Sequence, residues 1–311
     1  MFNTQRIPVT VYRSTDAAAP QLSIAAGSIK TVLKACLTQG YGGKQPLGWE
    51  MPFESGNAAC WRSRHDQSTG HVLSVNANNT YADVAGYGTA VSATDGGNPF
   101  AKGRWPFASN NRRSGVMSLP WVLVGHARAF MLVILDDGGQ RNFCPSLYFG
   151  DFATLAAADA GNCILRHNGY GRNQTITNSS GYDSAVGGQF AKNHTGDTPV
   201  NYIEICKADN YTCTYPNPIS NGFTADDIYL AEQAGGNSSH YALRGLLGGI
   251  WRIAESIPRA NGNSPLETLI PFGTVYGNLG DGDSYMYVRT SDASASGNRP
   301  EHLINLTAWE L

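Results

Sequence analysis

The clearest helical pattern lies near the start of the chain. Its apolar residues follow the i, i+3, i+4, i+7, i+8 spacing of one buried helix face: Ile29, Val32, Leu33, Cys36 and Leu37. Ser28 stands in the N-cap position, and Gly40 stands where a left-handed glycine commonly ends a helix. We therefore expect a short amphipathic helix over residues 28–38. We expect it to pack on a sheet, because so short a helix needs tertiary contacts to be stable.

The other apolar positions follow the pattern of β-strands. The strongest is a hairpin, with Trp121–Val124 as one arm and Ala129–Leu135 as the other. Both arms are apolar on both faces, which is typical of strands covered on both sides, so we expect this hairpin to be central. The residues of this hairpin predicted for the core are Val122, Leu123, Val124, Met131, Val133 and Leu135.

Turns and polar segments indicate how the strands are organised. Segments such as TDGGNP, AGGNSS and NLGDGDS separate the strand-like runs. The pattern predicts a β-dominated α+β protein with antiparallel, sandwich-like sheets and the short N-terminal helix packed on one of them. A long polar segment from Gly169 to Thr198 indicates two β-rich parts, residues 1–155 and 156–311, with a single compact domain as the alternative. A second short helix is predicted between Ala153 and Ala158.

The chain is weakly charged. Of its 311 residues 15% are charged, against about 25% in an average soluble domain, and the formal net charge is −2. No cluster of Lys and Arg exceeds a pair, so nucleic-acid binding is excluded as the main role, because phosphate neutralisation requires concentrated positive charge. No apolar run has the length of a signal peptide or a membrane span, so we expect synthesis in the cytoplasm and no membrane-spanning segment.

The six cysteines give little support for metal or disulfide chemistry. None forms a CxxC pair, which argues against a structural zinc site. Cys206 and Cys213 flank a predicted hairpin turn and are placed to face each other. In a protein made in the cytoplasm, free thiols are favoured over a disulfide at this pair.

Patterns typical of catalysis or metal binding are few. Cys60 and His65, with Asp66, have the residue types of a nucleophile pair, but spacing along the chain does not show spatial contact, and loop residues are the favoured interpretation. The segment Asp281–Ser284 has the start of a calcium loop and lacks its remaining ligands and closing Glu. The sequence therefore predicts no catalytic residues, no cofactor and no metal site.

Aromatic residues in predicted loops are the stronger functional candidates. Such residues either fill the protein's own core or act as interface anchors or sugar-stacking platforms. The glycine-rich segment Gly40–Trp49, which we call the hook, is expected to direct Trp49 and Phe53 over a sheet edge or towards a neighbouring subunit. The residues predicted to form an interface are Tyr12, Arg13, Tyr41, Trp49, Phe53 and Trp105. For Trp49 and Trp105, core packing is the alternative.

Several segments, in the same order along the chain, resemble one family of tailed-bacteriophage and prophage proteins. They are VYRSTDAAAPQL, GYGGKQPLGWEMPF, WVLVGHARAFMLVIL, YFGDF and LRGLLGGIW. The resemblance covers most of the chain, and the polar segment from Gly169 to Thr198 matches least. Members are encoded among tail and virion structural genes, and no catalytic residues are established for them.

The resemblance implies a structural virion component of the tail, tail tip or baseplate that acts through protein–protein assembly rather than as an enzyme. Its partners would be other virion proteins and further copies of itself, and its location the virion. Two alternatives stay open: a module that binds a glycan or receptor on the host surface, and a cell-wall hydrolase, for which a carboxylate pair or a metal–histidine cluster would be needed.

Overall fold

The computed structural model describes residues 5–108, 118–136, 144–155, 159, 161–168, 186–192, 200–205, 223–233, 241–255, 273–277, 281–289 and 301–311. Within these ranges the chain is β-dominated, with antiparallel sheets and one short helix, which confirms the predicted fold class. The helix is α1 (Ser28–Lys34), and it continues as a π-helical turn, Ala35–Gln39. The strands are β1 (Arg6–Pro8), β2 (Thr10–Arg13), β3 (Glu50–Ser55), β4 (Ala58–Arg62), β5 (Val72–Ala77), β6 (Tyr81–Ala90), β7 (Gly96–Pro106), β8 (Trp121–His126), β9 (Ala129–Ile134), β10 (Ser146–Asp151), β11 (Ala153–Thr154), β12 (Cys163–Asn168), β13 (Val186–Phe190), β14 (Val200–Ile205), β15 (Phe223–Gln233), β16 (Tyr241–Glu255), β17 (Val275–Gly277), β18 (Ser284–Arg289), β19 (Glu301–Asn305) and β20 (Ala308–Glu310).

The ends of the helix differ from the prediction. The N-cap residue is Gly27, in the left-handed conformation, and it makes no side-chain cap. Ser28 lies one residue inside the helix, where its hydroxyl accepts a hydrogen bond from the Ser23 backbone N–H instead. At the other end Gly40 donates its N–H to the Ala35 carbonyl, an i to i−5 bond that closes a π-turn rather than an α-helical one. The helical face predicted to be buried is buried in full.

A five-stranded antiparallel sheet packs against this helix. Its strand order is β3-β4-β5-β6-β7. Alternate residues of β4, β5 and β6 enter one core with the apolar face of the helix, including Trp61, Leu73 and Val75. The helix therefore covers one face of a sheet, as its amphipathic pattern predicts.

The predicted hairpin and its cover on both faces are confirmed, although β8 and β9 lie near one end of the strand order rather than at its centre. Strands β8 and β9 pair in register from Trp121↔Ile134 to His126↔Ala129 and leave a two-residue turn. Odd-numbered residues of β8 such as Leu123 join the core beneath the helix, and even-numbered residues such as Val124 join a second core on the opposite face. Of the residues predicted for the core, all are buried except Leu135, which is half-buried.

The second core lies within one large sheet. Its strands run in the order β17-β18-β19-β16-β15-β14-β13-β12-β10-β9-β8-β2, with β11 paired to β16. Apolar residues of β8 to β10 meet those of β15 to β19 in this core, around the fully buried Trp309. The sheet thus folds over itself like a sandwich. Its strands come from both sides of the predicted boundary at residues 155 and 156, since β10 pairs directly with β12.

The second predicted helix does not begin where expected. Ala153 and Thr154 form strand β11, paired with Leu246 and Gly245 of β16. Their pairing with a distant strand outweighs the local helical preference of alanine, because a backbone ladder satisfies the polar groups of a buried segment. Residues 156–158 of this prediction lie outside the described residues, as do Cys206 and Cys213.

Candidate functional site

Three of the predicted interface residues belong to the protein's own core. Tyr12, Trp49 and Trp105 are between 0% and 4% exposed in the single chain. The interface prediction is wrong for these three, because a ring enclosed by its own chain offers no surface to a neighbouring subunit. Trp105 is also not in a loop, since it lies in strand β7 opposite Ala82. Core packing, the alternative considered for Trp49 and Trp105, is what the structure has.

Trp49 fills the space between the hook and the large sheet. Its ring makes an edge-to-face contact with Phe130 and a tilted contact with Phe149, at centroid distances of 5.3 and 6.0 Å. The indole N–H donates to the backbone oxygen of His126 at 3.3 Å. The end of the hook is therefore fixed to strands β8, β9 and β10.

The other three predicted interface residues reach the surface. Phe53 is 42% exposed in β3, an edge strand of the five-stranded sheet, and lies opposite Cys60. Arg13 and Tyr41 are half-buried. The structure brings Arg13 and Tyr41 together, whereas Phe53 lies on another element. These three positions remain a predicted interface.

Asp16 is the centre of a polar cluster that sequence reasoning did not identify. Its carboxylate accepts hydrogen bonds from the Arg13 backbone N–H at 2.7 Å and from the Tyr41 hydroxyl at 2.9 Å. It also pairs with the Lys44 ammonium at 2.7 Å, which in turn donates to the Val11 carbonyl. We call Asp16, Tyr41 and Lys44 the Asp16 clamp. It holds the hook against strand β2 and the turn that follows it.

The hook approaches that turn so closely that it requires glycine. A Cβ atom added to Gly42 would lie 1.9 Å from the Ala17 carbonyl oxygen, and its φ is +52°. Next to it, Gly43 has φ +85° with open space around a Cβ. The two segments that meet in this contact, VYRSTDAAAPQL and GYGGKQPLGW, are separated along the chain by the helix.

The clamp changes the ionisation of its members. Burial by itself would raise the pKa of Asp16, but hydrogen bonds from Lys44, the Arg13 backbone and Tyr41 outweigh it and lower the pKa below the ordinary value of 3.8. Burial raises the pKa of the Tyr41 phenol, and the neighbouring Asp16 carboxylate raises it further. At neutral pH the clamp therefore holds an ionised carboxylate and a neutral phenol that donates to it.

A small pocket lies beside the clamp. Its volume is about 260 Å³, and it is lined by the β1–β2 segment, the end of the hook, His65 and the turn of the central hairpin. Pro46 and Leu47 form the hook wall, and His126 and Arg128 form the hairpin wall. Because the clamp and Trp49 fix the hook, they also fix this wall of the pocket. We refer to this cavity as the hairpin pocket.

Two residues that line the hairpin wall, His126 and Arg128, carry hydrogen-bond donors on their side chains. The Nδ1 atom of His126 accepts the Arg128 backbone N–H at 3.1 Å, so a neutral imidazole carries its proton on Nε2. His126 is only 4% exposed, and its Nε2 has no hydrogen-bond partner within the described residues. Its ring lies edge-to-face with Trp309 at 5.6 Å. Burial, together with Arg128 and His65, lowers the pKa of His126 to about 3, so the ring is neutral at pH 7.

Arg128 is held by the buried Asp151. Its Nε donates to Asp151 Oδ2 at 2.9 Å, and Thr69 donates its hydroxyl to Oδ1 at 2.8 Å. Asp151 is 1% exposed, and burial raises its pKa although these hydrogen bonds act in the opposite direction. This pairing engages the Nε atom of the guanidinium and fixes the position of the Arg128 side chain.

The structure does not assemble the Cys60–His65 pair. Cys60 lies buried in strand β4, where burial raises the pKa of its thiol. His65 accepts a hydrogen bond from the Gln67 backbone N–H at its Nδ1, and in the described part of the chain it has no hydrogen bond to Cys60. These residues keep their interpretation as separate structural positions.

The carboxylates of the segment Asp281–Ser284 have protein partners. Asp281 accepts the Tyr285 hydroxyl, and Asp283 pairs with Arg6 and accepts from the Asn305 amide. Across the described ranges, no group of three or more His, Cys, Asp or Glu side chains is placed to hold a metal ion. Within the same ranges, no helix is both long and apolar enough to span a membrane.

No family model and no curated protein matches this chain.

Proposed function

We propose that this protein is a structural component of a tailed-bacteriophage virion, associated with the tail, tail tip or baseplate and acting through protein–protein assembly rather than catalysis. The observation that carries the proposal is the Asp16 clamp. The segments that resemble the phage family, around Asp16 and Tyr41, are used to join the hook to the first strands. Their side chains stabilise a rigid β-rich unit, which is what an assembly component requires.

The partners of the proposal are other virion proteins and further copies of this chain. The surface residues Arg13, Tyr41 and Phe53 are the candidates for these contacts, because arginines and aromatics that reach the surface are frequent anchors of interfaces. The weak charge of the chain agrees with a surface that becomes covered in a particle, since few charges oppose close association.

The decisive experiment is protein mass spectrometry on purified particles, with and without the gene. We expect the chain in the infectious particles at a fixed copy number relative to the tail proteins. Deletion of the gene should give particles that lack it and that are defective in assembly or infection. Infectious particles without the chain would contradict the virion role.

A second experiment addresses the surface residues. Phe53→Ser should leave the melting temperature of the isolated protein nearly unchanged and reduce incorporation into particles. Val91→Ser is the matched control, because Val91 is an apolar residue that is 63% exposed and was not predicted to form an interface. Equal incorporation of both variants would remove Phe53 from the interface.

Binding of a host-surface glycan is the second candidate function. The observation that favours it is the hairpin pocket, whose volume of about 260 Å³ suits one sugar ring and whose wall carries hydrogen-bond donors.

A further inference from the structure

The hairpin pocket joins a cavity to hydrogen-bond donors that have no acceptor among the described residues. Its walls come from four separate parts of the chain: the first strands, the hook, the loop after β4 and the turn between β8 and β9. Two of these walls are held by specific contacts: Trp49 and the Asp16 clamp hold the hook, and the strand ladder holds the hairpin. A cavity with fixed walls is prepared for a ligand before the ligand arrives.

The donors of the pocket point to a ligand that accepts hydrogen bonds. A buried N–H without an acceptor is destabilising, so the His126 Nε2–H gains from any ligand oxygen that reaches it. Arg128 uses Nε for Asp151, and its terminal amino groups make no hydrogen bond to the described residues. Guanidinium N–H groups bind carboxylate and phosphate oxygens in pairs.

The charge of the wall favours a singly charged acceptor. The buried Asp151 already balances part of the Arg128 charge, and the His126 ring is neutral at pH 7. A phosphate with nearly two negative charges would carry more negative charge than Arg128 could balance. A carboxylate carries one negative charge, and its two oxygens match the paired N–H groups of the guanidinium. The volume of about 260 Å³ lies just below the range of about 300–1,000 Å³ that is usual for larger ligands, so the ligand is small.

We propose that the hairpin pocket binds a small carboxylate-bearing molecule of about the size of one sugar ring. The carboxylate lies against the terminal amino groups of Arg128 and accepts from His126 Nε2–H, and the remainder of the molecule contacts Pro46 and Leu47 of the hook. This site does not depend on the proposed virion role, because it is formed within one chain.

Titration calorimetry of the full-length protein with glucuronate, glucose and inorganic phosphate tests the proposal. Glucuronate carries the carboxylate on a sugar ring, glucose has the same ring without the charge, and phosphate has a higher charge without the ring. We expect measurable binding of glucuronate and at least tenfold weaker binding of glucose and of phosphate. Absence of glucuronate binding, or binding of glucose or phosphate with equal affinity, would overturn the proposal.

Two variants locate the binding in the pocket. Arg128→Lys keeps the positive charge beside Asp151 and removes the paired N–H groups of the guanidinium. Ala127→Phe places a large side chain in the pocket from the turn and leaves His126 and Arg128 unchanged. Each is expected to weaken glucuronate binding at least tenfold, with a circular dichroism spectrum like that of the wild type. If both variants fold and bind as well as the wild type, glucuronate binds elsewhere and the assignment is wrong. Should one variant fail to fold, the other decides.

Discussion

The indole N–H of Trp49 donates to the backbone oxygen of His126 across 3.3 Å and thereby joins the last residue of the hook to the turn of the central hairpin. The two residues are 77 positions apart in the chain. The Asp16 clamp fixes the other end of the hook. The hook therefore has a structural role: it closes the protein's own core and forms a wall of the hairpin pocket.

Replacing Trp49 with alanine should destabilise the isolated protein strongly. Trp49 is 4% exposed and packs on Phe130 and Phe149, so its loss leaves a cavity and should lower the free energy of unfolding by about 3–5 kcal/mol. Urea denaturation of the purified protein measures this change. Phe53→Ala is the matched control, since its half-exposed ring should cost less than about 1 kcal/mol. Equal losses in the two variants would contradict the core position of Trp49.

The two neighbouring glycines of the hook should respond differently to alanine. Gly43→Ala places a side chain in open space at positive φ, for which the backbone cost is about 1–2 kcal/mol. Gly42→Ala carries the same kind of backbone cost and a clash with the Ala17 carbonyl, and overpacking of this kind adds about 1–3 kcal/mol. Thermal unfolding of both variants under one condition gives the comparison. A Gly42 variant as stable as the Gly43 variant would show that the hook can move away from the turn.

The Asp16 clamp should contribute stability at neutral pH and lose it in acid. The folded-state pKa of Asp16 lies below its ordinary value of 3.8, so the contribution is complete above that value and disappears as the pH falls through the folded pKa. Asp16→Asn should therefore cost about 1–3 kcal/mol at pH 7, and this cost should shrink progressively as the pH falls below 3.8. Urea denaturation at pH 7 and at a series of pH values below 3.8 measures the change. Tyr41→Phe, which removes one donor and no charge, should show a smaller cost at pH 7.

Three buried histidines should make the protein sensitive to mild acid. Burial lowers the pKa of His71 and of His167 to about 4 and that of His126 to about 3, against 6.5 in the unfolded chain. The unfolded chain therefore binds more protons below pH 6.5, and stability should fall from there towards pH 4, by up to about 1.4 kcal/mol per pH unit for each histidine. Melting temperatures from pH 8 to pH 4.5 measure this slope.

A matched variant separates the histidines from other titrating groups. His167→Gln removes one of the three titrations, so its stability should fall less steeply with pH than that of the wild type, whatever the variant's stability at pH 8. A wild-type melting temperature that stays constant down to pH 4.5 would contradict the burial of these rings as neutral groups.

The sequence by itself determined the elements whose pattern is local. The helix beginning at Ser28 and the hairpin of β8 and β9 were both predicted, because spacing along the chain decides which side chains share a face of a helix or strand. The burial of the hairpin on both faces was also predictable, since residues such as Leu123 and Val124 are apolar on successive positions and need cover on both faces.

Only the tertiary structure decided which aromatic residues are interior. Trp49 stands in a glycine-rich segment, and the sequence therefore predicts a loop residue. In the structure Phe130 and Phe149, from distant strands, pack against it. The same holds for Asp16, which precedes the helix in the chain, whereas its partners Tyr41 and Lys44 follow the helix. The hairpin pocket depends on four such segments at once. These contacts depend on packing between segments that lie far apart along the chain. Hydrophobic periodicity in a single sequence predicts local structure, but it does not predict which distant segments come into contact.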